Sequence, residues 1–207
     1  QEVLHHQLEV LKTGLPEYTV VGVGREDGKT AGEYAPIFFK QAKYTLLDQN
    51  TFWLCEKPDS VGMVGWDAAL TRIATWVKLQ DKKTGQILMV VNTHFDHIGT
   101  EARRNSALLI IEKIKEIVGT SPAILTGDFN VSEDWDAYKT ITNNEFILKD
   151  AHKVAGKRTG VDFTYHNFGK IPAEKCEKID FIFVTPQIRV ISSYIPFSQL
   201  NDTLFLS

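Results

Sequence analysis

What most constrains this chain is a succession of short β-rich runs, interrupted by one long amphipathic helix. "YTVVGVG", "YAPIFFK", "YTLLD", "TFWLC", "RIATWVKL" and "ILMVVNTHFD" each carry β-branched and aromatic residues. Turns rich in Gly, Asp and Lys separate them ("GREDGKTAGE", "QDKKTGQ"), as hairpins require. Residues 100–118 change the period. Ala107, Leu108, Ile111, Ile114, Ile117 and Val118 fall on one helical stripe, with Thr100 as the expected N-cap. A strand at "PAILTG" follows, then a short helix near 134–142 and strands at "DFTYH", "KIDFIFV" and "RVISSYI". At the start, Val3, Leu4, Leu8 and Leu11 predict a helix over 2–13, closed by Gly14. Many strands with few helices predict an α/β fold of two packed sheets with helices outside.

A chain of 207 residues is one domain with a sizeable core. Its net charge of -3 and the lack of any Lys/Arg run argue against a broad nucleic-acid footprint. Cys55 and Cys176 lack zinc-site spacing and leave a single disulfide open. No apolar run is long enough to span a membrane, and no signal peptide is visible. A soluble protein is expected, with cytoplasmic, periplasmic and secreted locations all open. The chain opens inside a helical pattern without Met and stops at "NDTLFLS", so a fragment trimmed at both ends is expected.

Polar residues collect at a few strand ends. In "VVNTHFDHIG", side chains alternate faces: Met89, Val91, Thr93 and Phe95 share one, and Asn92, His94 and Asp96 share the other. A strand with one buried face turns the opposite face to water or to a site. In "TGDFN", Asp128 and Asn130 point together while Phe129 points into the core. Asp can move a proton and Asn can donate to a phosphoryl oxygen, although an Asx-turn ending a strand gives the same pattern. Asp180 lies inside apolar "KIDFIFV", whose neighbours read as buried on both faces. Such a carboxylate must be paired, either with a Lys or Arg or with a histidine that it orients. Glu2 suits either a helix N-terminus or a Mg2+ ion. "GVGRED" lacks the third glycine of a dinucleotide fingerprint, and there is no P-loop. The adjacent His5 and His6 cannot share a helix face, and His97 and His152 read as loop residues.

Taken in order, "QE", "GREDG", "NTHFDH", "TGDFN" and "KIDFIFV" resemble the endonuclease/exonuclease/phosphatase superfamily, the deoxyribonuclease I-like fold. "GVGREDGKTAGEYAPIFFK" is similar to bacterial members near the carbon-catabolite-repressor deadenylase and nocturnin branch. The resemblance spans the whole chain, residues 1–207, as a single domain. It implies a four-layer α/β/β/α sandwich with two mostly antiparallel sheets. It also implies that the first strand or strands and a C-terminal Asp-His strand are missing.

The resemblance further implies roles. Glu2 matches the metal-binding glutamate, for Mg2+ or Mn2+. His94 matches the histidine that contacts phosphate, and Glu33 the glutamate that supports it. Asp128 and Asn130 match the pair that positions water or leaving group and binds the phosphoryl oxygen. Asp180 matches the aspartate that orients a final histidine. Arg25 and Asn92 stand as substrate-side residues. The implied protein is a monomeric, metal-dependent hydrolase of phosphate esters: nucleic acid, nucleotide or sugar phosphate. The alternative is an inactive member that binds nucleic acid, sugar or protein. Trp53, Trp66 and Trp135 are either core residues or stacking surfaces.

Overall fold

The computed structural model describes residues 1–143, 148–197, 199–201 and 204–205. The chain begins with α1 (His5–Gly14), β1 (Tyr18–Val21), β2 (Ile37–Lys40), β3 (Tyr44–Trp53), β4 (Ile73–Asp81) and β5 (Ile87–His94). Helix α2 (Thr100–Val118), β6 (Ala123–Asp128) and α3 (Asp136–Thr142) follow. Then come β7 (Lys149–Asp150), α4 (Ala151–Val154), β8 (Lys157–Gly160), β9 (Asp180–Val184) and β10 (Ser192–Ile195). Gln199–Asn201 (β11) and Leu204–Phe205 (β12) pair as a short antiparallel hairpin.

The central sheet has six strands in the order β3-β4-β5-β6-β9-β7. Its neighbours run antiparallel except β5 and β6, which α2 joins as a parallel crossover. One face packs on α2 and α3 through Met89, Val91, Leu125, Ile110, Ile114, Ile141 and Phe183. The other face meets the two-stranded sheet β1-β2 through Val21, Ile37 and Phe39 against Val77 and Leu79. With α1 beside β1, the layers are helix, small sheet, large sheet, helices.

The expected β5 alternation holds for the core: Met89 and Val91 are buried toward α2, while Val90 lies against the small sheet. Several boundaries differ from expectation. "YTLLD" and "TFWLC" are one ten-residue strand that absorbs a register shift between Leu46 and Asp48. "DFTYH" forms no strand. Only Tyr165 bridges Glu177, and the ladder in this region is β8, which pairs parallel with β10. Thr100 does not cap α2. Gly99 holds that position, and the carboxylate of Asp67 accepts from the N–H groups of Ala102 (2.6 Å) and Glu101 (3.2 Å). Cys55 and Cys176 are both free thiols. No helix among the described residues is long and apolar enough to cross a membrane.

Candidate functional site

Strand register builds the centre of the site. In the parallel ladder His94 pairs with Asp128, and in the antiparallel ladder Asp128 pairs with Asp180. The three therefore stand in one row across the ends of β5, β6 and β9. A side chain at Gly127 would collide with the carbonyl oxygen of Thr93, so glycine is what lets β5 and β6 approach there. Phe129, fully buried against Phe95, Phe181 and Phe183, fixes the next residue of "GDFN" in the core. Asn130 then adopts a left-handed conformation (φ 48°). Its N–H donates to Asp128 Oδ1 (2.8 Å) and its Nδ2 donates to Phe95 O (3.0 Å). The Asx-turn and the cleft are thus the same structure.

This row floors a cleft of about 600 Å³. Glu2, Arg25, Glu33, His94, Asp128, Asn130 and Asp180 all line it. His94 Nε2 lies 3.7 Å from Asp128 Oδ2 and 4.0 Å from Glu2 Oε1, and its Nδ1 lies 3.9 Å from Glu33 Oε2. Arg25 donates to that same Glu33 oxygen at 2.6 Å, and its backbone carbonyl accepts from the indole of buried Trp53. Glu2 has a strained left-handed backbone (φ 58°) and a mostly exposed carboxylate. The segment is tied down next door, where Tyr34 N–H donates to Val3 O (2.8 Å).

Electrostatics sets the protonation states. Burial, and then the charges of Arg72 and Arg25, pull the pKa of His94 down to about 3. The imidazole is therefore neutral near pH 7, and its approaches to the three carboxylates are not ion pairs. Burial, and then the facing Asp180, push Asp128 up to about 7. Burial also raises Asp180, opposed by the Thr164 hydroxyl. Among the described residues no Lys or Arg lies in ion-pair range of Asp180, and Ile182 of the same strand is half exposed. At its first residues β9 is buried on one face, through Phe181 and Phe183, while Asp180 lines the cleft.

One expected site residue, Asn92, and one residue expected on the His94 face, Asp96, lie elsewhere. Asn92 does not line the cleft. Its amide is engaged behind it, donating to Pro36 O (3.0 Å) and accepting from Gln1 Nε2 (2.9 Å) and Thr126 Oγ1 (3.1 Å). Asp96 leaves the His94 face because β5 ends at His94. It is buried, accepting from the N–H groups of Gly99 (2.8 Å), Ile98 (2.9 Å) and Leu70 (3.2 Å), with Arg72 Nε at 3.4 Å.

Other cleft residues carry weak sequence signals. Arg72, a lone charge at the start of buried "RIATW", is itself buried. Its NH2 meets His97 Nδ1 at 3.1 Å, and its NH1 has no partner among the described residues. Tyr165 and Phe168 form an exposed aromatic rim. Trp53, Trp66 and Trp135 do not line the cleft: Trp53 is core, and exposed Trp135 stacks on Arg103 at 4.8 Å. His5 contacts the Tyr34 hydroxyl (3.1 Å), and His152 contacts Ser193 (2.9 Å).

The family model for the Endonuclease/Exonuclease/phosphatase family matches residues 1–202. The chain belongs to this family. A Bacteroides vulgatus endonuclease/exonuclease/phosphatase superimposes with TM-score 0.95 at 66% identity, over 99% of this chain and 78% of that one. A Bacteroides thetaiotaomicron mannosyl-6-phosphatase superimposes with TM-score 0.86 at 40% identity, over 93% and 72%. The human nocturnin catalytic domain shares the fold, with TM-score 0.67 at 18% identity, over 90% and 67%. An uncharacterized protein of Acanthamoeba polyphaga mimivirus is 36% identical over 79% of this chain. That match spans 63% of the viral protein's length.

Proposed function

We propose that this chain is a phosphoester hydrolase that works with Mg2+ or Mn2+ on a small phosphorylated substrate, a sugar phosphate first of all. The observation that carries the reading is the gathering of Glu2, His94, Asp128, Asn130 and Asp180 in one cleft. The cleft volume suits a small molecule, and the likeness to a mannosyl-6-phosphatase supports the sugar.

The donor set fits a divalent cation. Glu2, Glu33, Asp128 and Asp180 line the cleft against the guanidinium groups of Arg25 and Arg72. Carboxyl groups outnumber guanidiniums there, so a phosphate entering alone meets a surplus of like charge. Among the described residues no three His, Cys, Asp or Glu form a metal cluster. Mg2+ needs less, being commonly held by one or two carboxylates, waters and substrate phosphate. Glu2 would be the protein ligand. When bound, the cation neutralises charge that grows on the phosphoryl oxygens.

The remaining work falls to this chain's own side chains. Asn130 uses one amide hydrogen on Phe95 O and has a second for a phosphoryl oxygen. Neutral His94 can donate one N–H to the same group. Asp128 holds the Asn130 N–H on Oδ1, which leaves Oδ2 to exchange a proton with the attacking water or the leaving oxygen. Its pKa of about 7 suits that task near neutral pH. Asp180 supplies the facing charge.

The test is phosphate release from mannose 6-phosphate, other sugar phosphates, nucleotides, single-stranded RNA and plasmid DNA with Mg2+ present. Asp128→Ala and a chelator serve as controls. Release from sugar phosphates that vanishes in both controls is expected. Undiminished turnover in Asp128→Ala would overturn the site, and cleavage of nucleic acid alone would overturn the substrate.

A further inference from the structure

The loop before β9 reaches back to the cleft through Thr164. Its Oγ1 accepts from two consecutive backbone N–H groups, Ile179 (3.1 Å) and Asp180 (3.0 Å). Both lone pairs of the hydroxyl are thereby used, and its one hydrogen remains to be donated. One of the two amides is that of Asp180 itself, so the hydroxyl fixes the backbone from which that carboxylate projects, and the Thr164 hydroxyl opposes the effect of burial on that acid.

Thr164 is itself held in place. Its N–H donates to Glu177 O (2.9 Å), the N–H of Tyr165 donates to the same oxygen (2.8 Å), and Glu177 N–H returns to Tyr165 O (3.1 Å). The hydroxyl is therefore a fixed point between the loop that carries Tyr165 and Phe168 and the first residue of β9.

We propose that Thr164 is a positioning residue that orients the Asp180 carboxylate toward the cleft and fixes the start of β9 opposite Asp128. Threonine here is more than a loop residue of suitable size, because a single oxygen serves two consecutive amides, the second of them that of Asp180 itself. Serine keeps that pattern. Valine keeps the shape and removes all of it, leaving two backbone N–H groups without their acceptor. The proposal rests on Asp180 being part of the hydrolytic site.

The experiment is a double-mutant cycle on phosphate release with Mg2+, joined to crystal structures of Thr164→Val and Thr164→Ser. Asp180→Asn alone tests the underlying reading, and unchanged turnover there would remove Asp180 from the site. Thr164→Val is expected to lower kcat by on the order of tenfold with KM little changed, and Thr164→Ser to restore it. In the Asp180→Asn background, Thr164→Val should add nothing further, because its effect passes through that carboxylate. A general structural role would instead give additive losses. The structures give an answer independent of turnover. A rotated Asp180 side chain in Thr164→Val, returned in Thr164→Ser, supports the proposal. An Asp180 unmoved in Thr164→Val overturns it.

Discussion

Asp128 and Asp180 face each other as direct partners in the β6–β9 ladder, and both are partly buried. Like charges directly opposite one another in a sheet destabilise it. Here the cost is lowered by protonation, since Asp128 is pushed up to about 7.

Asp128→Asn should therefore separate stability from activity. An acid whose folded pKa exceeds its unfolded value keeps a proton that the unfolded chain has lost. Stability then falls as pH rises from about 4 toward the folded pKa. Asparagine removes that loss. In chelator at pH 8, thermal melts should show Asp128→Asn more stable by about 1–3 kcal/mol. Turnover should fall by about 10²–10⁴-fold. A variant less stable than the parent at pH 8 would refute the facing-charge account.

Asp96 shows the opposite sign. Burial alone would raise its pKa, but the N–H groups of Gly99, Ile98, Ala69 and Leu70 outweigh burial and hold it well below the carboxylate range. Its contribution is full above the unfolded value near 4 and is lost on acidification below it. Asp96→Ala leaves Arg72 buried without its carboxylate, at a cost of about 3–5 kcal/mol. Urea unfolding at pH 7 and at pH 3 reads both effects, and the gap between the two proteins should narrow at the lower pH.

Glu2→Gln should leave the fold intact, because two-thirds of that side chain is exposed. Saturating Mg2+ should raise the melting temperature of the parent protein and not that of Glu2→Gln. Calorimetric titration should show weakened Mg2+ binding in the variant. Equal binding by both proteins would exclude Glu2 as the ligand.

Gly127→Ala should force β5 and β6 apart at the row of site residues, since a methyl group meets the Thr93 carbonyl. Overpacking of this kind costs about 1–3 kcal/mol. Turnover should fall as well, by more than the loss of folded protein explains. Circular dichroism melts and kinetics on the folded fraction separate the two.

The residues most legible in the sequence were those on strands. His94, Asp128 and Asp180 interrupt apolar runs at period-2 positions, and three paired strands carry them to one row. Alternation alone puts Asp96 on the same face, but β5 ends at His94 and the chain turns there. Alternation sets Asn92 on the face opposite Met89 and Val91, but Pro36, just before β2, already occupies that side. "DFTYH" alternates like a strand, yet a strand needs a partner ladder. At Asn167 and Phe168 the backbone turns left-handed instead. Arg72 and His97 gave no periodic signal, since their meeting depends on how separate loops fold over the strand ends.

Because the row of His94, Asp128 and Asp180 is written into strand register, its spacing is inherited from the same pleat that seats Met89, Val91 and Leu125 under α2. A slip of one residue would turn the acids inward and the core outward together. The chemistry of this cleft and the cohesion of the domain thus stand or fall as one property. The rim of Leu70, Tyr165 and Phe168 belongs to connecting segments and carries no such obligation. Exchange of those segments is the route by which a scaffold of this kind could acquire a new ligand while His94, Asp128 and Asp180 stay where they are.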